Sequence, residues 1–596
     1  MTSAEDAVHK AIGVEREPIM RITSVRVSNY RNIDGITVEL DSSCNYIIGE
    51  NNLGKSNFLD LLNTVCTGKS FDDEDFSDPQ MPIEVILTIM LSKNEWGFFG
   101  DNFNSDDPNT ISIRYRQEIT DAFPTAICLD NDDSIPMKQI RKLNFFKYES
   151  TASPSKELKL DAKKGMGMLM NGLVESFVSQ NGTVSFVNTD RMEKLAHYIN
   201  QNFSRIQGFR EYNIGASIAT DTSDVVTSLF YLSDGERKID KTGSGVQYIA
   251  MASISILCYI MELSKSKSIP FEERLYKNDN GDRILPLILS IDEPEVHLHP
   301  YLQRSLIGYY KRILSNRDDD FKKLLKECFD IDGVIGQIII VTHSTDALVG
   351  DYRNLIRFYK ENGKVNIISG SSKRLHITDV NEKHLIMHFP ELKEAFYSHC
   401  AVIIEGETEY GCIQRFADNL SVPIDDLGIC VINAQGQNTI KPLRQLLDIF
   451  NIPSIAIYDS DVKEGKDQTD RDFFTTENFF EVEIVKKLFS TGNQQIAREI
   501  AVELYDKALV EVLDKNYVKG YFKKQGLSLE GYVPKSLNDV SDEDEDEFCN
   551  MFAAWFTVKK GILLGRIVGE KLSADLIPDC YKNALLKAQE VAKNAG

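Results

Sequence analysis

The chain is 596 residues long, with 42% hydrophobic and 26% charged residues, proportions of an ordinary globular protein of roughly two to four domains. Its formal charge of −23 excludes a histone-like or tail-driven nucleic-acid binder, although a local basic groove stays open because whole-chain charge averages over faces. The ten cysteines form no CxxC pair, so neither a zinc site nor a disulfide framework is expected, and reduced thiols in the cytoplasm are the simple reading.

In chain order, Met1 to Met20 has mixed charge and no apolar core, so no signal peptide is expected. Strand-like alternation follows at Ile22, Val25 and Val27, at Ile36, Val38 and Leu40, and at Tyr46-Ile47-Ile48. A glycine-rich turn and an amphipathic helix from about Lys55 come next, then strands at Glu84–Leu91 and Thr110–Glu118. From Lys147 to Ala216 the pattern turns helical and less apolar, which reads as an insertion that serves dimerisation. Tyr248 to Met261 is apolar but too short for a bilayer, so it is expected to be a buried helix, with no membrane association. Strands at Leu285–Ile291 and Gln337–Thr342 alternate with helices such as Pro300–Leu314, which implies a largely parallel sheet. Leu355–Phe358 and Val365–Ile368 read as a closing hairpin. A second α/β unit starts at Cys400, its last hundred residues mostly helical, with the acidic run Asp542 to Glu547 read as a solvated loop.

Gly49-Glu50-Asn51-Asn52-Leu53-Gly54-Lys55-Ser56 fits GxxxxGK[ST] between a strand and a helix. Backbone N–H groups freed by Gly49 and Gly54 wrap phosphates, with Asn52 and Asn57 in the same turn; Lys55 neutralises β/γ charge and Ser56 ligates Mg²⁺. The apolar strand Leu285 to Ile291 ends at Asp292-Glu293, where Asp292 is expected to hold Mg²⁺ and Glu293 to polarise the attacking water. A third apolar strand ends at Thr342-His343-Ser344, placing His343 as a γ-phosphate contact. Thr242-Gly243-Ser244-Gly245-Val246-Gln247 precedes the buried helix and forms a second anion-binding surface, although such turns also simply cap helices.

A second set of carboxylates lies beyond this constellation. Ala401-Val402-Ile403-Ile404 stops at Glu405-Gly406-Glu407-Thr408-Glu409, and Ile455-Ala456-Ile457-Tyr458 stops at Asp459-Ser460-Asp461. Strand ends are where an open α/β sheet places its chemistry, and converging carboxylates suit hard divalent cations. Acids at a helix start also favour the dipole, so any one of them alone is ambiguous.

With Asn29-Tyr30-Arg31-Asn32-Ile33, the first constellation resembles the ABC-type ATPases of the SMC/RecF/Rad50 group. The resemblance implies that Ser244, Gly245 and Gln247 belong to a signature loop acting in trans on ATP held by a partner head. The group's Q-loop glutamine has only Gln80 as a candidate, and no long heptad-bearing coiled coil is present. The second set, with Asn433-Ala434-Gln435-Gly436, resembles the Toprim domain, and Glu405 to Glu409 together with Glu293-Pro294-Glu295-Val296-His297-Leu298-His299-Pro300 resembles the OLD family of nucleases. The implied fold is α/β: an ABC-type (SMC/RecF-like) P-loop ATPase with a helical insertion, then an α/β Toprim domain with a helical C-terminal part. The implied bounds are an extension at 1–19, ATPase parts at 20–146 and 217–380, the insertion at 147–216, a connector at 381–397 and the Toprim domain at 398–596.

Carried over by position, Glu405, Glu409, Asp459 and Asp461 would bind metal. Glu481 would be a further ligand (Glu477 the substitute) and Lys560 the lysine near the C-terminus (Lys559 the substitute). The resemblance implies an ATP-dependent endonuclease using Mg²⁺ or Mn²⁺, with Glu293, Glu405 and Lys560 as its catalytic groups and DNA as its substrate. It also implies prokaryotic antiphage defence in the cytoplasm. The expected partners are copies of the chain in a dimer or tetramer, formed through the ATPase heads or the insertion, and a helicase or other protein of a defence operon. The competing reading is a non-cutting ATP-dependent DNA-binding repair or clamp protein with a vestigial Toprim fold. A topoisomerase lacks chain for a cleavage-tyrosine domain, and a primase lacks a recognisable zinc module.

Overall fold

Period-two burial along Ile83–Met90 (β4) and Thr110–Gln117 (β5) leaves one face of each strand apolar and covered, the pattern of an antiparallel sheet with one solvated side. The computed structural model describes residues 20–100, 102, 104, 106–160, 165–181, 189–218, 230–350, 352–372, 388–390, 392–460, 469–505, 515–530 and 532–595. They fall in two units divided between Lys373 and Arg374. The extension at 1–19 and residues 381–387 and 391 of the connector lie outside the described residues, as does Asp461.

In the first unit, β4 and β5 join β1 (Arg21–Ser28), β2 (Ile36–Glu39) and β6 (Thr125–Cys128) in the order β2-β1-β4-β5-β6. A second, seven-stranded sheet contains β3 (Cys44–Gly49), β7 (Phe145–Glu149), β11 (Tyr276–Lys277), β12 (Arg283–Asp292), β13 (Gly333–Val341), β14 (Leu355–Glu361) and β15 (Lys364–Ser369). Its order is β11-β12-β13-β3-β14-β15, with β7 also paired to β12. The pairs β7–β12, β12–β13, β13–β3 and β3–β14 are parallel. Burial of β12 from Ile284 to Ile291 on both faces is what a parallel sheet covered on both sides requires. Helix α1 (Lys55–Cys66) lies between the sheets, and Phe58, Leu61 and Leu62 share one core with Val25, Val27, Ile288 and Val341.

The segment read as an insertion holds helices α2 (Gly165–Asn181) and α3 (Thr189–Phe203). Its edges differ from the sequence reading. Lys147 to Glu149 are part of the ATPase sheet through β7, and β8 (Ile214–Ile218) crosses the expected end to pair with β9 (Phe230–Asp234), itself followed by β10 (Arg237–Lys238). The buried helix α4 runs Ser244–Ser264, 21 residues, longer than its apolar run and long enough to cross a bilayer. The expectation that it is too short is therefore wrong in length, but 67% of its apolar stretch is buried in the unit, as in a core helix. Helix α5 (Pro300–Leu314) connects β12 onward to β13.

The second unit has a four-stranded parallel sheet of β16 (Cys400–Ile404), β17 (Ile429–Asn433), β18 (Ser454–Tyr458) and β19 (Asp472–Phe474), ordered β17-β16-β18-β19. Every residue of β16 and β18 is buried. Around the sheet lie α6 (Glu407–Asn419), α7 (Gln437–Ile449), α8 (Phe480–Ser490), α9 (Glu545–Val558), α10 (Ile562–Lys571) and α11 (Asp579–Ala595). Val402, Ile455, Phe416, Phe552, Trp555 and Tyr581 belong to its core. The acidic run read as a solvated loop is instead partly helical. Asp544 caps α9 by accepting from Glu547 N, Glu545 to Glu547 form the first turn, where the helix dipole favours acids, and Asp542 pairs with Arg498 at 2.6 Å.

Candidate nucleotide and nuclease sites

Parallel pairing fixes the first site. Register places Asp292 opposite Val341 and Val341 opposite Ile47, so β12, β13 and β3 all end at one edge of the sheet. Gly49 has φ +136°, and a Cβ there would lie 2.2 Å from the Phe358 carbonyl oxygen, so the turn needs glycine. Gly54, at φ +87°, precedes α1, and a Cβ there would lie 2.5 Å from Ile33 Cγ2. Asn52 also has positive φ, a conformation asparagine tolerates, and its carbonyl accepts from Asn32 Nδ2 at 3.1 Å. Asn57 Nδ2 in turn donates to Asn32 Oδ1 at 2.7 Å.

Buried Lys55 donates Nζ–H to the Gly49 carbonyl at 2.9 Å and to the Glu50 carbonyl. Burial pushes its ammonium down to about 8, against the opposing pull of Glu293 and Asp292. Ser56 Oγ donates to Asp292 Oδ1 at 3.1 Å. Burial raises the Asp292 carboxyl, with the Ser56 hydrogen bond and then Lys147 pulling the other way.

Glu293 turns away from the strand at φ +50°, its N–H donating to Val341 O at 2.9 Å, and its carboxylate lies 3.8 Å from His343 Nε2. Burial and then Lys55 hold His343 below the usual imidazole range, so this contact is a neutral polar one at neutral pH rather than an ion pair. Glu295, which the motif reading leaves without a role, joins the two strand ends. Its carboxylate accepts from Thr342 Oγ1 at 2.7 Å and from His343 N at 2.6 Å. Ser244, Gly245 and Gln247 form the first turn of α4, where Gln247 Nε2 donates to Thr242 O at 3.1 Å. This turn packs beside the segment after β12: Tyr248 stacks on His297 with centroids 4.4 Å apart, and a Cβ on Gly245 would lie 3.6 Å from His297 O. Gln80 is exposed on a turn strapped to Asn29 Nδ2 through the Asp78 and Met81 carbonyls, and the strand beside Asp292 is β7.

The second site forms by the same logic at the edge where β16 and β18 end. Glu405 follows β16, and Gly436 N–H, in the turn after β17, donates to its carbonyl at 2.9 Å. Glu409 lies in the first turn of α6 with its carboxylate folded against Gly406, where a Cβ would lie 2.8 Å from Oε2. Burial raises the Glu409 carboxyl to about 7; Glu481 and Glu405 add to the rise and Lys560 opposes it. Burial likewise raises Glu481, in the first turn of α8, with Lys560 and Thr408 opposing. Thr408 Oγ1 donates to Glu481 Oε1 at 3.3 Å and accepts from Gly561 N at 3.0 Å. Thr408 was not singled out from the sequence, because a threonine between two glutamates gives no signal by itself.

Two glycines bring Lys560 here. A Cβ on Gly565 would lie 1.9 Å from Thr408 O, and one on Gly411 would lie 2.5 Å from Ile562 O, so α10 and α6 touch backbone to backbone. Gly565→Val is expected to force these helices apart, lowering the thermal midpoint of the second unit by several degrees for each kcal/mol lost, about 4–8 °C in a small domain and less in a larger one. An unchanged midpoint by calorimetry would show that the contact gives way freely. The alternatives for the late positions separate by partner: Glu477 pairs with Lys486 at 2.8 Å, and Lys559 lies over the Tyr505 ring at 5.2 Å. Asp459 follows β18, and Ser460 ties that loop to the one leading into α8 through Ser460 N to Thr475 Oγ1 at 3.0 Å and Ser460 Oγ to Asn478 Oδ1 at 2.7 Å.

Among the described residues, no three His, Cys, Asp or Glu side chains close on one point as a cation cage. The donor chemistry nonetheless fits a hard divalent ion: oxygen donors only, and a Glu409 carboxyl raised partly by two acidic neighbours whose repulsion a cation would relieve.

Fold and sites together define a P-loop ATPase of ABC type joined to a Toprim unit. The family model described as "AAA ATPase domain" matches residues 20–168 and 170–347, more than half of the chain, and the model "Overcoming lysogenization defect protein-like, TOPRIM domain" matches 396–461. The chain thus belongs to the AAA ATPase domain family, and its second unit carries the match to the OLD-like Toprim model. It is 22% identical over 447 residues to Endonuclease GajA of Bacillus cereus (strain HuB5-5), covering 70% of this chain and 60% of that one. It is 20% identical over 502 residues to the Old nuclease of Escherichia phage P2, covering 74% and 77%. Among solved structures, the C-terminal region of the Xanthomonas campestris pv. campestris OLD protein overlays with a TM-score of 0.24 at 19% identity, covering 34% of this chain and 97% of that one. An SMC head bound to the C-winged helix domain of ScpA overlays with a TM-score of 0.35 at 14% identity, covering 58% and 97%.

Proposed function

We propose that the protein is an ATP-binding and ATP-hydrolysing, divalent-metal-dependent DNA endonuclease that nicks or cuts phosphodiester bonds at the Toprim site. The observation that carries this reading is that Glu405 and Glu409, Glu481, and Lys560, from three separate stretches of chain, lie close enough at the edge of a parallel sheet that Glu481, Glu405 and Lys560 all act on the Glu409 carboxyl and Lys560 acts on that of Glu481. The names of the two relatives, an endonuclease and a nuclease, support it.

At the first site Lys55 and the Gly49–Ser56 backbone bind the phosphates, Ser56 and Asp292 hold Mg²⁺, Glu293 orients water with His343 beside it, and Ser244, Gly245 and Gln247 face the nucleotide of a second head. At the second, Glu405, Glu409, Asp459, Asp461 and Glu481 would hold Mg²⁺ or Mn²⁺. Two such ions, when bound, activate water and stabilise the entering and leaving oxygens of an in-line displacement. Lys560 offsets the surplus negative charge of the acids and stabilises the oxyanion as the bond breaks. Assembly into dimers or tetramers through heads or insertion, a defence-operon partner such as a helicase, a cytoplasmic setting and a role against phage complete the proposal.

The competing reading is a non-cutting ATP-dependent DNA-binding repair or clamp protein with a vestigial Toprim fold. Supercoiled plasmid incubated with purified protein and Mg²⁺ or Mn²⁺, with and without ATP, separates the two. Conversion to nicked or linear DNA by the wild type and not by Glu405→Ala is expected. Equal conversion by both, or none by either, would sink the nuclease reading.

A further inference from the structure

The end of β7 carries none of the motifs that the sequence singles out, yet it lies at the nucleotide site. Register against β12 places Lys147 opposite Ser290 and Glu149 opposite Asp292. Ser150 Oγ, the next hydroxyl, donates to the Asp292 carbonyl at 2.6 Å, which ties the strand end to the acid. Ser56 and Asp60 stand one turn apart on α1 and share a face. From that face Ser56 reaches the Asp292 carboxylate at 3.1 Å, and Asp60 holds Lys147 Nζ at 2.6 Å. Asp60 is itself braced by Arg31 at 3.0 Å, and Arg31 by Asp75 at 2.8 Å.

Only 14% of the Lys147 side chain is exposed. An ammonium so placed is costly unless paired, and its setting is a half-ring of acids: Asp60, Glu149 at 3.6 Å and Asp292. In the reading given above, Lys55 and the backbone N–H groups of the phosphate-binding loop are the nucleotide contacts, so Lys147 need not touch nucleotide in order to affect turnover.

We propose that Lys147 is a positioning residue for ATP hydrolysis: its ammonium, clamped by Asp60, sets the orientation and charge balance of the Asp292 carboxylate, and so the placement of the metal-bound phosphates rather than the affinity for nucleotide. This rests on the ATPase reading given above.

The test compares wild type, Lys147→Met, Lys147→Gln and Lys147→Arg by ATP turnover and by fluorescence of mant-ATP with and without Mg²⁺. Lys147→Met and Lys147→Gln are expected to bind mant-ATP without metal as the wild type does, to lose most of the affinity gained on adding Mg²⁺, and to turn over about tenfold more slowly. Lys147→Arg, which keeps the charge near Asp60, is expected to restore both. Matching thermal midpoints identify whichever of the two neutral variants is intact. Unchanged turnover and metal gain in the neutral variants overturns the positioning role, and so does an arginine variant as impaired as they are. A wild type that neither binds mant-ATP nor hydrolyses ATP, by contrast, removes the ATPase reading itself.

Discussion

Lys55→Ala is expected to lower ATP affinity by about a hundredfold, the loss of about 3 kcal/mol for a charge-assisted contact to phosphate in a partly buried site. The ammonium is already desolvated, held by the Gly49 and Glu50 carbonyls and surrounded by Asp292, Glu293 and Glu295, so little reorganisation is needed to present it to an anion. The variant also removes a cation that acts on those acids, which adds electrostatic repulsion against an incoming triphosphate. Mn²⁺ binding to the second unit should not change, because its carboxylates belong to a different fold unit with its own core. Titration calorimetry with ATP and separately with Mn²⁺ reads both effects; unchanged ATP affinity would refute the role given to Lys55.

The first site was legible in the sequence because its parts are local patterns. A P-loop is eight consecutive residues, and an apolar strand ending in Asp292-Glu293 is another short string. The geometric reasons sit inside the strings: Gly49 is required by the Phe358 carbonyl and Gly54 by its left-handed backbone. Parallel order could be inferred from βα alternation, and β12, β13 and β3 do end together. Lys147 was not legible. It lies in a stretch whose low apolar content reads as insertion, and only pairing with β12, far along the chain, brings it under Asp292. Glu295 was hidden differently: its partners Thr342 and His343 lie at the end of another strand, so its role depends on a distance that no local string contains.

The edges of elements were the weakest part of the sequence reading for similar reasons. The run Asp542 to Glu547 is as charged as a loop, yet its acids satisfy N–H groups and the dipole at the start of α9, a use of charge that composition cannot distinguish from solvation. Helix α4 extends beyond its apolar core because Ser244 and Gly245 continue the helix past the residues that hydropathy marks. In the second unit, Glu405 and Glu409 stood out because a strand stopped at them. Glu481 and Lys560 were reachable only by family resemblance, with Glu477 and Lys559 as near-equal choices in sequence.

Side-chain partners now separate those choices and make the sharpest prediction. Glu481→Gln is expected to lower plasmid nicking by about two orders of magnitude, as removal of a preorganised charged group from a two-metal site does. Lys560→Ala is expected to do the same. Glu477→Gln and Lys559→Ala should stay within about threefold of wild type, a change too small for loss of transition-state contact. The reason lies in where each group already spends its charge: Glu477 on Lys486, Lys559 on the face of Tyr505, but Glu481 and Lys560 on each other and on Glu409. Unfolding would not explain the expected loss in Glu481→Gln. A buried amide costs less than a buried carboxylate, and it still accepts from Thr408, so the thermal midpoint should hold or rise. The opposite pattern, with Glu477→Gln and Lys559→Ala inactive and the other pair active, would move the acid's role to the loop before α8 and the lysine's by one residue, and with them the assignment of this edge as the cutting centre.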